Sequence, residues 1–269
     1  MHTSSQDITG GYIDHEFAVE YYDHIFDHLT DMDFYIGIAK KHNQPVLELA
    51  CGSGRILLPL ARSGAEVTGI DLSSNMLDLC RRKMSDEEPA VRNRISLVED
   101  DIRTFTLKDK FPLIFLPYSS FQLLLDVESQ IQCLERVRDH LSDDGIFVLS
   151  VFNEAPQRLS DDSLYDEFDI TPEFEMPDGR KVFRRFRYIS RDYTTQIESK
   201  ESIFYVTHPD GKQERLVHRF DMRYYFKYEL IHLLARCGLE VTDTYGGYKL
   251  EPYDAGNRDG RMIMVAKKL

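Results

Sequence analysis

The chain has 269 residues, of which 33 are Lys or Arg and 46 are Asp or Glu, giving a formal net charge of −13. That balance opposes a polyanionic partner, because nucleic acids and anionic membranes are held by an excess of basic side chains that displaces counterions. At 42% hydrophobic and 29% charged residues the composition is that of a globular protein, long enough for one large domain or one domain with an elaboration.

The first residues, MHTSSQDITGGYIDHEF, hold neither a basic nor an apolar leader region. The longest apolar stretches, around Ile56 to Ala61 and Phe111 to Tyr118, fall far short of the roughly 20 residues of a membrane helix. A cytoplasmic protein is expected. Cys51, Cys80, Cys133 and Cys237 form no CxxC pair, which fits reduced thiols better than disulfides or a zinc site. Trp is absent, but 15 Tyr and 16 Phe can line a ligand pocket as well as a core.

Residues 11–43 read as helical, with Phe17, Tyr21, Ile25 and Leu29 recurring every four residues. From Pro45 short apolar strands alternate with amphipathic helices. The predicted strands are Val46 to Ala50, Glu66 to Ile70, Ile95 to Glu99, Leu113 to Pro117 and Gly145 to Phe152. Helices begin near Arg55, Ser74 and Val127, the last stopping at Asp143-Asp144-Gly145. This rhythm implies a parallel sheet covered on both faces.

Residues 160–222 break the rhythm. Eight acids and no base occupy 161–178, whereas six bases and no acid occupy 180–191. Pro177-Asp178-Gly179 lies between them, which predicts a hairpin pairing unlike charges across its ladder. A second Pro-Asp-Gly, at 209–211, separates the runs Gln196 to Thr207 and Gln213 to Arg223. A four-stranded antiparallel meander is expected, its basic run serving cross-strand acids and not a phosphate. A helix Tyr228 to Arg236 capped by Gly238, a strand Leu239 to Thr244 and a last strand Arg261 to Lys267, joined to its neighbour by a short loop, complete the chain. The predicted fold class is α/β: a seven-stranded, mostly parallel, doubly wound Rossmann-like sheet with an inserted antiparallel β-meander. The expected divisions are a helical cap (1–44), the α/β core (45–158), the insert as lid or dimer surface (159–224) and the end of the core (225–269).

Val46-Leu47-Glu48-Leu49-Ala50-Cys51-Gly52-Ser53-Gly54-Arg55 carries the chemistry. An apolar strand runs into a Gly-x-Gly turn that opens a helix, so backbone can approach a ligand and helix amides point at it. A dinucleotide site would place a third glycine where Leu57 stands. Glu48 lies inside the motif and can order the loop or face a cation. Both departures favour S-adenosylmethionine (SAM), which has no pyrophosphate and carries a sulfonium and an ammonium.

These residues resemble the first motif of class I SAM-dependent methyltransferases, an acid followed by x-x-x-G-x-G; Ala50 stands where many relatives have glycine. The likeness extends from about residue 12 to the end, the insert excepted. In Val67-Thr68-Gly69-Ile70-Asp71-Leu72-Ser73-Ser74-Asn75-Met76 it implies that Asp71 accepts both ribose hydroxyls while Leu72 and Met76 lie against the adenine. In Val98-Glu99-Asp100-Asp101-Ile102 it implies that an acid, Asp101, accepts the adenine amino group and Ile102 covers the ring. Leu116-Pro117-Tyr118-Ser119-Ser120-Phe121 is where the family places substrate, with Pro117 at the cofactor. Glu48, Ala50, Gly52, Gly54 and Arg55 complete the implied cofactor set.

Methyl transfer from a sulfonium is an in-line displacement that depends on alignment and exclusion of water. Many small-molecule relatives have a histidine shortly after the Ser-Phe of the fourth motif. Here the stretch is Phe121-Gln122-Leu123-Leu124-Leu125, which leaves Tyr118 and Gln122 as polar candidates for catalysis. His24 and His28 lack the H-E-x-x-H pattern, so an exposed helical pair is expected and no metal site. Tyr21 and Tyr22 can either fold over SAM, as the N-terminal helix of such enzymes does, or serve as core aromatics; Tyr22 is the one assigned to the cofactor. Cys51 reads as a loop residue.

The fourth motif is not Asn/Asp-Pro-Pro-Tyr, a cytosine-C5 type Pro-Cys is absent, and the charge is −13, so a small-molecule acceptor methylated at N or O is expected, with no nucleic-acid or membrane partner. The aromatic exit of the insert makes Tyr118, Phe121, Arg223 and Tyr225 the candidate acceptor contacts. Arg223 would pair with a substrate carboxylate, with Asp221 or with another insert acid. A homodimer through the insert, a non-catalytic SAM-binding subunit and an NAD(P)-linked oxidoreductase served by Asp71 stand as alternatives.

Overall fold

A computed structural model describes residues 4–9, 16–26, 31–42, 45–153, 156–254 and 260–269. In chain order its strands are β1 (Ser4–Thr9), β2 (Val46–Leu49), β3 (Val67–Asp71), β4 (Ile95–Glu99), β5 (Phe111–Leu116), β6 (Leu141–Phe152), β7 (Phe168–Glu175), β8 (Lys181–Asp192), β9 (Ile197–Thr207), β10 (Gln213–Arg223), β11 (Leu239–Tyr245) and β12 (Arg261–Lys268). The helices are α1 (Glu16–Phe26), α2 (Met32–Lys41), α3 (Leu57–Arg62), α4 (Ser74–Ser85), α5 (Pro89–Arg92), α6 (Val127–His140), α7 (Pro156–Leu159) and α8 (Lys227–Arg236).

The main sheet has seven strands in the order β11-β12-β6-β5-β2-β3-β4. Only β12 runs antiparallel to its neighbours, β6 and β11. Parallel strands buried on both faces read as continuous apolar runs, and all four residues of central β2 are buried. One face of the sheet packs on α6 and α8 through Leu134, Val137, Leu230 and Leu234. The other packs on α2, α3 and α4 through Phe34, Leu57, Leu60 and Leu77. Local chemistry sets the helix starts. The Ser73 hydroxyl accepts from the Met76 N–H at 3.3 Å, and Asp126 accepts from the Ser129 N–H at 2.8 Å.

The insert forms a second sheet, in the order β1-β10-β9-β8-β7. Its antiparallel meander is the expected one, with Gly179 and Gly211 both at φ 83° closing the Pro-Asp-Gly turns. The structure adds a fifth strand, β1, pairing in parallel with β10. The N-terminal stretch is therefore not one helical cap. β1 belongs to the insert sheet, α1 lies against that sheet through Tyr21, Ile25 and Phe26, and α2 joins the core layer. His28 and Leu29 fall outside the described residues, as does the side chain of Phe17.

Two further expectations are corrected. The basic run does not pair wholly with the acids before it. Arg185 meets Asp169 at 3.0 Å, but Arg187 and Arg191 turn to Glu201 and Glu198 on β9, each at 2.6 Å. Register shifts in the β7–β8 ladder break the one-to-one opposition. The β11–β12 pair is joined by residues 246–260, not by a short loop.

Candidate active site

The site grows from the carboxyl end of β2. The Cys51 N–H continues the ladder onto the Ile70 carbonyl at 2.9 Å. The chain then turns through left-handed conformations at Ala50 (φ 55°), Gly52 (φ 55°) and Gly54 (φ 77°). An alanine at positive φ is uncommon and costs about 1 kcal/mol or more, so the surrounding bonds must hold the turn. They converge on Asp71, at the tip of β3. Its Oδ2 accepts the Gly52 N–H at 2.7 Å, its Oδ1 accepts the Ser73 N–H at 2.8 Å, and its carbonyl accepts the Asp100 N–H at 3.1 Å. One residue thus ties the glycine loop, the start of α4 and the exit of β4 together.

Leu57 stands where a dinucleotide fold keeps a third glycine, and the structure shows what makes room for it. A Cβ at Gly69, on the neighbouring strand, would collide with Leu57 Cδ1 and come within 2.7 Å of Cys51 Sγ. The small residue has moved from the helix to the strand opposite it.

Glu48 is 2% exposed, and its Oε2 has no hydrogen-bond partner. Burial, reinforced by Asp71 and Asp31 and opposed by Arg55, pushes its carboxyl up to about 8. Arg55 directs both terminal nitrogens to Asp31, at 2.7 and 2.8 Å. Asp31 is wholly buried. It stands at the start of α2 yet its side chain does not cap that helix. Sequence reading missed this residue. Its only local signal was an aspartate in a helix-start position, and its partner is 24 residues away.

Several residues expected to hold the adenine lie near the loop. A Cβ at Gly52 would lie 3.3 Å from Met76 Cε and 4.0 Å from the Tyr22 hydroxyl, so these three predicted residues converge. Leu72 is 47% exposed beside them. Asp101 is held by Arg103, whose Nε donates to it at 2.9 Å and keeps its carboxyl below the ordinary value. Asp100 accepts the Asp101 N–H at 2.8 Å, and Ile102 lies against the core. Helix α1 closes over the loop. Asp23 accepts from the Ser53 hydroxyl at 2.5 Å and from Lys83 at 2.8 Å.

In the fourth motif Pro117 is buried and Tyr118 adopts φ 62°. The Tyr118 ring meets Phe26 edge to face at 5.0 Å, and the guanidiniums of Arg55 and Arg261 each lie 6.0 Å from its centroid. The other acceptor candidates are placed elsewhere. Phe121 and Tyr225 are both at 0% exposure and stack in the core at 5.6 Å, so they present no face to an acceptor. Arg223 pairs with neither Asp221 nor an open pocket but with Glu229 of α8 at 2.9 Å. Both ends of the Gln122 amide are occupied by main chain: it donates to the Arg223 carbonyl at 2.9 Å and accepts the Phe152 N–H at 2.7 Å. Gln122 thereby joins the points where the chain leaves and re-enters the core.

His24 stacks flat on Phe174 at 5.4 Å, and the described residues hold no cluster of His, Cys, Asp or Glu able to grip a metal. Burial keeps Cys51 protonated by raising its thiol pKa, which fits a loop residue and not a nucleophile.

Strand order and loop together define a Rossmann-like protein that binds its cofactor at the carboxyl ends of the strands. Residues 46–145 match the family model of a methyltransferase domain. The chain is 26% identical over 259 residues to the cypemycin N-terminal methyltransferase of a Streptomyces species, covering 94% of this chain and 96% of that one. It is 24% identical over 220 residues to the dTDP-3-amino-3,4,6-trideoxy-alpha-D-glucopyranose N,N-dimethyltransferase of Streptomyces venezuelae, covering 82% and 81% of the two. Among solved structures, DesVI of Streptomyces venezuelae superposes with a TM-score of 0.73 at 20% identity over 95% of this chain and 100% of that one. The CcbJ methyltransferase of Streptomyces caelestis does so with a TM-score of 0.71 at 24% identity, covering 93% and 96%.

Residues 46–145 thus match a methyltransferase domain, and the chain is similar over most of its length to a methyltransferase. Its residues fit SAM as the cofactor. Around the glycine loop stand the carboxyl groups of Asp31, Glu48 and Asp71; Asp31 takes the Arg55 guanidinium, and a buried Glu48 oxygen is left unpartnered. A buried carboxyl that can ionise against a cation suits a cationic ligand and opposes a pyrophosphate.

Proposed function

We propose that this chain methylates a small-molecule acceptor, at nitrogen in preference to oxygen. The observation that carries the reading is Tyr118. It projects at φ 62° from the fourth motif into an aromatic contact with α1, beneath the sheet that β1 and the insert build. An acceptor reaching it meets the paired rings of Tyr118 and Phe26. Two relatives matched over about four fifths or more of their length are an N-terminal methyltransferase and an N,N-dimethyltransferase, which supports nitrogen.

SAM supplies an electrophilic methyl group on a sulfonium. The chain's contribution is placement. Gly52 and Gly54 let the backbone close on the cofactor, Ala50 and Arg55 shape the same loop, and Asp71 receives the ribose hydroxyls. Met76, Leu72, Ile102 and Asp101 hold the adenine, and Glu48, ionising as the cofactor binds, provides negative charge beneath the loop. Tyr22 covers the cofactor from α1, Pro117 lies at the cofactor, and Tyr118 borders the acceptor. A neutral amine attacks through its own lone pair and gives up its proton afterwards, so alignment is the main requirement and no strong base is needed. Gln122 serves as a strut for this arrangement.

The same reading places the enzyme, of the type EC 2.1.1, in the cytoplasm. All four cysteines are buried free thiols, and no helix of the described residues is long and apolar enough to cross a membrane. Contact with nucleic acid is opposed by the net charge of −13. A homodimer through the insert sheet belongs to the proposal as well, and sedimentation of the purified chain tests it. The reaction is tested by tritium transfer from methyl-labelled SAM to a panel of aminosugar nucleotides, peptide N-termini and phenols. Label in amine products is expected. Tight SAM binding with no label in any acceptor would favour a cofactor-binding subunit instead.

A further inference from the structure

Asp31 lies outside every motif of the cofactor loop, yet it is wholly buried and takes both ends of the Arg55 guanidinium at 2.7 and 2.8 Å. Arg55 is also the attractive neighbour of Glu48, whose other charged neighbours, Asp71 and Asp31, both repel it. Around these groups stand Tyr35 of α2, wholly buried and acted on by both Asp31 and Arg55, and the Cys51 thiol. The strands flanking β2 place Gly69 and Phe115 opposite Glu48, and neither carries charge. A guanidinium gripped bidentately has no donors left in the fork direction for a second carboxylate. Glu48 Oε2 is correspondingly unpartnered, although a salt-linked arginine is within electrostatic reach.

We propose that Asp31 is a specificity-determining residue of the cofactor site: by engaging Arg55 it withholds that guanidinium from Glu48, leaving the Glu48 carboxylate for the positive charge that distinguishes SAM from S-adenosylhomocysteine (SAH). The proposal rests on the SAM reading of the site. With Asp31 in place, the pocket gains an attraction for the sulfonium that SAH cannot use, which favours exchange of spent product for fresh cofactor. Glu48 carries a proton in the ligand-free protein at neutral pH, since burial raises it to about 8. SAM then binds with release of that proton, and SAH binds with less or none.

Calorimetric titration of the full chain with SAM and with SAH, at pH 7 in phosphate and in Tris, reads both quantities. The wild type is expected to prefer SAM and to release close to one proton on binding it. In Asp31→Asn, Arg55 is free to pair with Glu48. The ratio of SAH to SAM dissociation constants is expected to fall about tenfold and the SAM-linked proton release to disappear. Equal weakening of both ligands, or an unchanged ratio with the proton still released, overturns the proposal and leaves Asp31 a structural residue. Glu48→Gln keeps the Asp31–Arg55 pair and should also lose the preference and the proton; a preference retained in this variant overturns the proposal even if Asp31→Asn does not fold. A wild type that binds neither ligand overturns the cofactor reading itself, a different outcome from any of these.

Discussion

Gly52 and Asp71 are joined across 19 residues by a hydrogen bond of 2.7 Å, from the loop N–H to the Asp71 carboxylate. With its second oxygen on the Ser73 N–H, Asp71 is both the shaper of the glycine loop and the acid proposed to hold the ribose. Those two roles compete for the same lone pairs. A carboxylate has about four acceptor sites, so the backbone bonds it already accepts leave few for a diol. Desolvation raises the Asp71 carboxyl, and the Ser73, Gly52 and Leu72 amides oppose that shift.

Glu48 should make stability fall with pH. Its carboxyl has an ordinary value of 4.5 and is raised to about 8 by burial, so the folded state holds the proton more tightly than the unfolded one. The stability it contributes is complete below about 4.5 and is lost as pH rises through about 8. Thermal unfolding of the ligand-free protein between pH 5 and 8.5 should show a loss on the order of 4 kcal/mol that is missing in Glu48→Gln. Parallel curves for the two proteins would contradict the raised value.

Gln122 is expected to act on stability more than on cofactor binding. Gln122→Leu leaves the part-buried Phe152 N–H and Arg223 carbonyl without the partners they have at 2.7 and 2.9 Å. Two unsatisfied part-buried groups cost about 1–3 kcal/mol together. Urea denaturation should show that loss, while SAM affinity of the folded variant stays within about threefold. An unchanged midpoint would remove Gln122 from its role as strut.

Gly69 and Leu57 should be energetically coupled. Gly69→Ala drives a Cβ into Leu57 Cδ1, an overpacking worth about 1–3 kcal/mol. In the Leu57→Ala background the same methyl fills space that was vacated. The double variant should therefore be less destabilised than the sum of the singles by about 0.5–3 kcal/mol in a denaturation cycle. Strict additivity would show that Gly69 does not make room for Leu57.

How far the sequence revealed this structure depended on the range of each interaction. The glycine loop, Asp71, the Pro-Asp-Gly turns and all seven core strands were legible, because turn chemistry and apolar runs are properties of adjacent residues. Asp31 was not, since an aspartate before a helix looks like a cap until its partner Arg55 is brought to it by the fold. Phe121 and Tyr225 were read as pocket residues because an aromatic side chain suits a core and a binding site equally; only their burial decides. The pairings of Arg187 and Arg191 depended on register shifts in β7–β8, which side-chain pattern does not announce. β1 escaped notice because Ser4–Thr9 has almost no apolar alternation and is defined by backbone pairing with β10.

The most direct test of the central claim is calorimetric titration of the full chain with SAM and, separately, with NADH, repeated on Asp71→Asn. One SAM bound per chain, no heat from NADH, and an affinity for SAM lowered about 10- to 100-fold in Asp71→Asn are predicted. Binding of NADH without SAM, or SAM affinity indifferent to Asp71→Asn, would contradict the assignment of this loop to the cofactor.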